Sequence, residues 1–332
     1  MNRQQVLVAR AVFPEVLARL AEHFEVDANA DDRIFSVPEL FARLAGKAGV
    51  LATGSERIDM ALLEAHPGLR AVCNMAVGHN NIDLEACTAR GVLVSNTPDV
   101  LTETTADFGF ALMMAAARRV TESEHFLRAG QWTKWSFDLF AGAEVHGSTL
   151  GVLGMGRIGQ AIARRGALGF GMPVIYHNRS RLDASIEQQL GARWVDKAEL
   201  LSEADHLVIV VPYSAASHHL IDASALAQMK PGATLTNIAR GGVVDDAALA
   251  VALREKRIAA AGLDVFEGEP QVHPDLLTVP NIVLTPHIAS ASIAMRRAMA
   301  DLAADNLIAA LGCGPRAGRP PTALNAQVLA LR

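Results

Sequence analysis

Short β-branched runs alternate with amphipathic stretches through the first hundred residues. Val6-Leu7-Val8 precedes Pro14 to Phe24, Gly49-Val50-Leu51 precedes Asp59 to Ala65, Arg70-Ala71-Val72 precedes Asp83 to Ala89, and Val92-Leu93-Val94 closes the set. Alternating β and α signals predict a parallel sheet doubly wound with helices. Thr97-Pro98 breaks this pattern. Leu101 to Arg119 then reads as one long helix, with Thr and Glu in its first turn and Arg118-Arg119 in its last. Its Ala111 to Ala117 run is apolar all round, which predicts burial, here against a partner subunit. Residues 120 to 147 show no clean period and read as an extended arm carrying Trp132 and Trp135.

A second alternating set starts at Thr149 to Leu153 and continues through Val174 to Tyr176, Leu207 to Val211, Thr234 to Ile238, Ala261 to Val265 and Ile282 to Leu284. Those six runs predict a second α/β domain. The late helix Ile293 to Leu311 has no strand left to pair with, so it is expected to return to the first domain. The expected division is a substrate-binding domain over 1–100 plus 290–332 and a dinucleotide-binding domain over 101–289.

Composition narrows the function class. The 332 residues suit two domains. A net charge of −5 leaves no basic surplus for nucleic acid, and no apolar run is long enough for a membrane helix. No signal-peptide core follows the first residues, so a cytoplasmic protein is expected. Cys73, Cys87 and Cys313 share no ligand spacing and read as buried apolar filler. His218 and His219 are adjacent, so on a helix or strand their rings diverge, and no metal is implied.

Gly154-Met155-Gly156-Arg157-Ile158-Gly159 follows an apolar strand and opens a helical stretch, the setting a dinucleotide fingerprint needs. Gly154 allows the tight turn, Gly156 the close approach of a pyrophosphate, and Gly159 close helix packing. Arg157 and Ile158 then stand at the helix N-terminus, aimed at the phosphates. The ribose reader belongs ~20 residues on, at the end of the next strand. The segment there, Tyr176 to Arg181, lacks a carboxylate. Arg179, Ser180 and Arg181 would instead hold the 2′-phosphate of NADP, with Asn178 beside them at the coenzyme, which predicts NADPH preferred with NADH possible.

Three further segments end predicted strands: Asn237 to Gly242, Leu263 to Pro270, and Thr285 to Ile288. With the glycine fingerprint, their set and order resemble the D-isomer-specific 2-hydroxyacid dehydrogenases over essentially the whole chain. The stretches Asn96 to Thr102 and Ala260 to Phe266 are most similar to those of the glyoxylate/hydroxypyruvate reductases and the 2-ketogluconate reductases.

The resemblance implies a flavodoxin-like substrate domain and a Rossmann coenzyme domain acting on a small 2-oxo acid, and the apolar surface of the Leu101 to Arg119 helix and the Trp132 to Phe140 arm predicts a homodimer. It places the family's active-site Arg, Glu and His on Arg240, Glu269 and His287. A bidentate Arg240 would grip the carboxylate and polarise the carbonyl. His287 would give the proton, and Glu269 would hydrogen-bond its ring and favour the charged imidazolium. The same resemblance assigns Asp264 to the nicotinamide carboxamide, Pro212 to the coenzyme, and the amides of the Ala76 to His79 loop, Val77 and Gly78 among them, to the substrate carboxylate. Trp135 matches a position that reaches a neighbouring subunit's site. Ala289 stands where close relatives carry Gly, which bears on pocket width. The alternatives are an NAD-dependent D-2-hydroxyacid or phosphoglycerate dehydrogenase and a non-catalytic, corepressor-like dinucleotide sensor.

Overall fold

A computed structural model describes residues 3–331. The chain divides into two compact units, Met1–Leu101 with Ser292–Arg332, and Thr102–Ala291.

The first unit carries β1 (Gln5–Val8), β2 (Glu25–Ala28), β3 (Gly49–Ala52), β4 (Ala71–Asn74) and β5 (Leu93–Ser95). All pairings are parallel, in the order β2-β1-β3-β4-β5. That is the flavodoxin-like winding. Odd and even strand positions serve different cores, as the two-residue period of a strand requires. Val6, Val8, Leu51 and Cys73 join one cluster, and Leu7, Val50, Ala52 and Val72 join the other. The helix Ile293–Ala310 packs into the first of these through Ala300, Ala303, Ala304 and Leu307. Sequence periodicity missed β2, whose Glu-Val-Asp-Ala sequence is half-exposed at the sheet edge.

The second unit carries β6 (Leu150–Leu153), β7 (Val174–His177), β8 (Ala192–Trp194), β9 (His206–Ile209), β10 (Thr234–Asn237), β11 (Ala260–Leu263) and β12 (Ile282–Leu284). They pair parallel in the order β12-β11-β10-β9-β6-β7-β8. The winding reverses between β6 and β9, and this switch point is where open α/β sheets form a ligand crevice. The sheet has seven strands where the sequence pattern predicts six, because β8 is a three-residue edge strand.

Two expectations need correction. The long helix ends at Ala117, and a second helix, Val120–Arg128, begins after Arg119, whose positive φ of 53° turns the chain. Part of the supposed extended arm is therefore helical. The apolar helix Thr102–Ala117 is also buried without a partner subunit. Ala106, Phe110, Leu112 and Met113 share a core with Leu150, Val152 and Ile162 of their own unit. Gly109 and Gly262 permit that close packing: a Cβ on either would sit under 3 Å from Ile238 or Leu112.

Candidate active site

Every strand of the second sheet runs the same way, so residues that follow strand ends gather at one edge. Gly154 follows β6, Asn178 follows β7, Pro212 comes shortly after β9, Arg240 after β10, Asp264 and Glu269 after β11, and His287 after β12. Chain connectivity alone thus collects most of the sequence-selected residues.

The glycine turn has the form a dinucleotide needs. Gly154 has φ 102°, and a Cβ there would lie 2.8 Å from the backbone of Val210. A Cβ on Gly159 would strike the Gly154 carbonyl at 2.2 Å, so helix and strand touch through bare backbone. At Gly156 a Cβ would meet nothing within 4 Å. That open space fronts the N-terminus of the helix Arg157–Phe170, whose first amides have no intrahelical acceptor. These residues fit a pyrophosphate. Asn178 steadies the turn, its Oδ1 accepting from Met155 N–H at 2.7 Å.

The catalytic candidates converge. His287 Nδ1 lies 2.7 Å from Glu269 Oε2, and Glu269 Oε1 accepts from Phe266 N–H at 2.9 Å. Burial pushes the Glu269 carboxyl up, but the His287 contact, the Phe266 amide and the Arg240 charge outweigh it and hold the group below its ordinary value. Burial pushes the Arg240 guanidinium down, opposed by the Glu269 charge. His287 adopts φ 52°, a left-handed conformation that costs a residue with a side chain. Its backbone N–H donates to the carbonyls of Asp264 at 2.9 Å and Thr285 at 3.0 Å, which hold that strained turn.

Gly241 is a packing position beside the candidate site to which sequence reasoning gave no role. A Cβ there would fall 1.7 Å from the Phe266 carbonyl, so only glycine lets the Arg240 loop cross the Phe266 to Glu269 turn. The Gly-Gly pair after Arg240 was its one visible signal.

Asp264 departs from expectation. Its side chain is 0% exposed. Its carboxylate accepts from Thr285 Oγ1 at 2.7 Å and from the Ile288 and Ala289 amides at 2.8 Å each. These bonds tie it to the loop that carries His287. Ala289 is itself buried, at 6% exposure, in the hydrophobic core.

Arg181 also departs. It makes a bidentate pair with Glu187, at 2.8 and 2.7 Å, and Glu187 additionally accepts from Tyr176 Oη at 2.7 Å. That pair occupies its Nε and Nη2 and draws the guanidinium toward the helix that carries Glu187. Arg179 and Ser180 remain exposed, and Arg179 makes no hydrogen bond or ion pair among the described residues.

His218 and His219 do not diverge. They occupy a turn where His219 has φ 48°, and their rings stack with centroids 3.9 Å apart. The helix and strand geometries that would separate them do not apply.

In the first unit, Asn74 and Asn96 side chains bind the carbonyls of Gly78 and Val77 at 2.9 and 2.8 Å. The N–H groups of Val77, Gly78 and His79 have no acceptor among the described residues. Trp135 stands 74% exposed, edge-on to Phe137.

A dinucleotide turn at the switch point and an Arg, Glu and His set along the same sheet edge define a nicotinamide-dependent oxidoreductase. The model of the D-isomer specific 2-hydroxyacid dehydrogenase NAD binding domain matches residues 110–289. A glyoxylate reductase from Aeropyrum pernix is 46% identical over 100% of this chain and 99% of its own. One from Thermococcus onnurineus is 45% identical over 99% of this chain and 98% of its own. The crystal structure of an NADPH-dependent glyoxylate/hydroxypyruvate reductase from Sinorhizobium meliloti, in complex with NADP and malonate, aligns with TM-score 0.83. It is 35% identical over 98% of both chains. The chain belongs to the D-isomer specific 2-hydroxyacid dehydrogenase family and is an NAD(P)-dependent oxidoreductase.

Proposed function

We propose that the protein reduces small 2-oxo acids, glyoxylate and hydroxypyruvate first and 2-ketogluconate among larger ones, to D-2-hydroxy acids with NADPH. The observation that carries this reading is the His287 and Glu269 pair at 2.7 Å together with the half-buried, charged Arg240 after the neighbouring strand. When bound, the dinucleotide supplies the hydride. Arg240 holds the carboxylate of the acid as a fork and polarises its carbonyl. Glu269 engages Nδ1 of His287, which leaves Nε2 to deliver a proton to the developing alkoxide. Asp264 and Gly241 position these groups without touching substrate. The unengaged Val77 and Gly78 amides of the first unit offer a carboxylate-binding turn.

The coenzyme preference rests on the exposed Arg179 and Ser180 at the end of β7, in a segment, Tyr176 to Arg181, that itself contains no carboxylate. We infer a homodimer joined through the arm, where Trp132, Trp135 and Phe137 are 55%, 74% and 92% exposed. In that assembly Trp135 reaches toward the partner's site. Among the described residues no helix is long and apolar enough to cross a membrane.

A panel of 2-oxo acids assayed with NADPH and with NADH tests the proposal. Highest kcat/KM with glyoxylate or hydroxypyruvate and NADPH is the expected result. Turnover below about one per minute with every acid, against ~1–10³ per second for ordinary enzymes, would favour a dinucleotide sensor instead.

A further inference from the structure

Apart from the Arg240, Glu269 and His287 set, the second unit assembles another group of metal-ligating side chains. One ring nitrogen each of His218 and His219 and a carboxylate oxygen of Glu267 all lie within 4.8 Å of one another. His219 Nε2 and Glu267 Oε2 are already 2.9 Å apart. His218 and Glu267 are exposed and His219 is half-buried, so an ion from solvent can reach the group.

Backbone contacts hold the three residues in place. His219 N–H donates to the Gly242 carbonyl at 2.7 Å, and Glu267 N–H donates to Asp246 at 3.1 Å. Gly242, at φ 76°, makes room: a Cβ there would crowd Tyr213 at 3.1 Å and touch His218 Nδ1 at 3.5 Å. Both histidines are also backed by oxygens on their Nδ1 sides. Tyr213 Oη lies 3.2 Å from His218 Nδ1, and Asp245 Oδ2 lies 3.8 Å from His219 Nδ1. Tyr213 Oη is within hydrogen-bond distance of His218 and orients its ring, as partners do behind histidine metal ligands, whereas His219 Nε2 shares a hydrogen bond with Glu267 whose proton is released when the ion takes its place.

We propose that His218, His219 and Glu267 bind one divalent transition-metal ion, zinc by the chemistry of its donors. Zinc takes imidazole nitrogen at ~2.0–2.1 Å and carboxylate oxygen at ~2.0–2.2 Å, and water fills the fourth tetrahedral position. Ligand atoms in that shell stand roughly 3.3 Å apart, so one ring must turn out of the stack to bring both lone pairs onto the ion. Two imidazoles select against magnesium and calcium, which prefer an all-oxygen shell. The ion replaces the direct His219 to Glu267 contact. It then ties the Phe266 to Glu269 turn, two residues from the carboxylate that engages His287, to the Tyr213 to His219 segment.

The test is calorimetric titration of untagged, full-length protein, stripped with EDTA and dialysed, with zinc chloride near neutral pH, alongside thermal unfolding. One saturable site per chain and a zinc-dependent rise in Tm are expected. His218→Gln and Glu267→Gln should each weaken binding at least about tenfold and remove the Tm rise. His287→Ala should leave the site intact, and excess magnesium should not displace zinc. The proposal is overturned if no saturable site exists, if it survives both His218→Gln and Glu267→Gln, or if it disappears in His287→Ala.

Discussion

His287 and Glu269 share a 2.7 Å contact between imidazole Nδ1 and carboxylate Oε2, although eighteen residues separate them in the chain. β12 brings His287 back beside the turn that follows β11. Replacing Glu269 with Gln should lower kcat for glyoxylate reduction by roughly tenfold or more, because the ring loses its charged partner. The coenzyme KM should stay near its original value. Stopped-flow or steady-state rates check this, and an undiminished kcat would show that the pair is structural.

Arg240→Lys should act mainly on the acid. An ammonium cannot reproduce the planar fork, so KM for glyoxylate should rise and kcat/KM fall while coenzyme binding persists. Steady-state kinetics with varied glyoxylate decide the point.

Asp264 is expected to govern both stability and rate. Asp264→Ala strands the buried Ala289 amide, at about 1–3 kcal/mol for an unsatisfied group, leaves the part-buried Ile288 amide without its acceptor, and frees the His287 turn. Tm and kcat should fall together, with Asp264→Asn milder because one acceptor oxygen remains. Calorimetry beside kinetics would expose a variant that loses one property alone.

The two arginines after β7 should separate cleanly. Arg179→Ala should erase most of the NADPH preference, about tenfold for one exposed charge-assisted contact. Arg181→Ala should leave coenzyme choice alone and lower Tm, since Glu187 loses its partner. The Arg181 and Tyr176 hydrogen bonds outweigh burial and hold the Glu187 carboxyl down to about 2. A depressed carboxyl stabilises the fold above its ordinary value of 4.5 and loses that contribution as pH falls below it. The Tm gap between the protein and Glu187→Gln should therefore be full near neutral pH and shrink below pH about 4.5. Thermal scans across that range check the sign.

What the sequence disclosed follows from burial. Strands such as Val174 to His177 are buried on both faces and announce themselves as apolar runs. β2 and β8 sit at sheet edges with one neighbour each and carry little signal. Gly154, Arg240, Glu269 and His287 were legible because sheet connectivity fixes where strand ends lie. The roles of Asp264 and Arg181 were not, because each depends on which partner a side chain finds: the 285–289 loop for one, a carboxylate on the following helix for the other. The stack of His218 on His219 depends on a left-handed residue that no periodicity reveals.

The exposed Trp132, Trp135 and Phe137 should be covered in solution. Light scattering at micromolar concentration should give about twice 35.2 kDa, and Phe137→Glu should shift the mass toward one chain. A single-chain mass for the unmutated protein would contradict the dimer.

The most direct test of the catalytic assignment is kcat for glyoxylate reduction by NADPH in the native protein and in His287→Ala, with NADPH affinity measured on both. Turnover on the order of 1–10³ per second is expected, cut roughly 10²- to 10⁴-fold by the substitution, with NADPH affinity nearly unchanged. A variant that keeps its kcat would contradict His287 as the proton donor and the 2-oxo acid mechanism built on it.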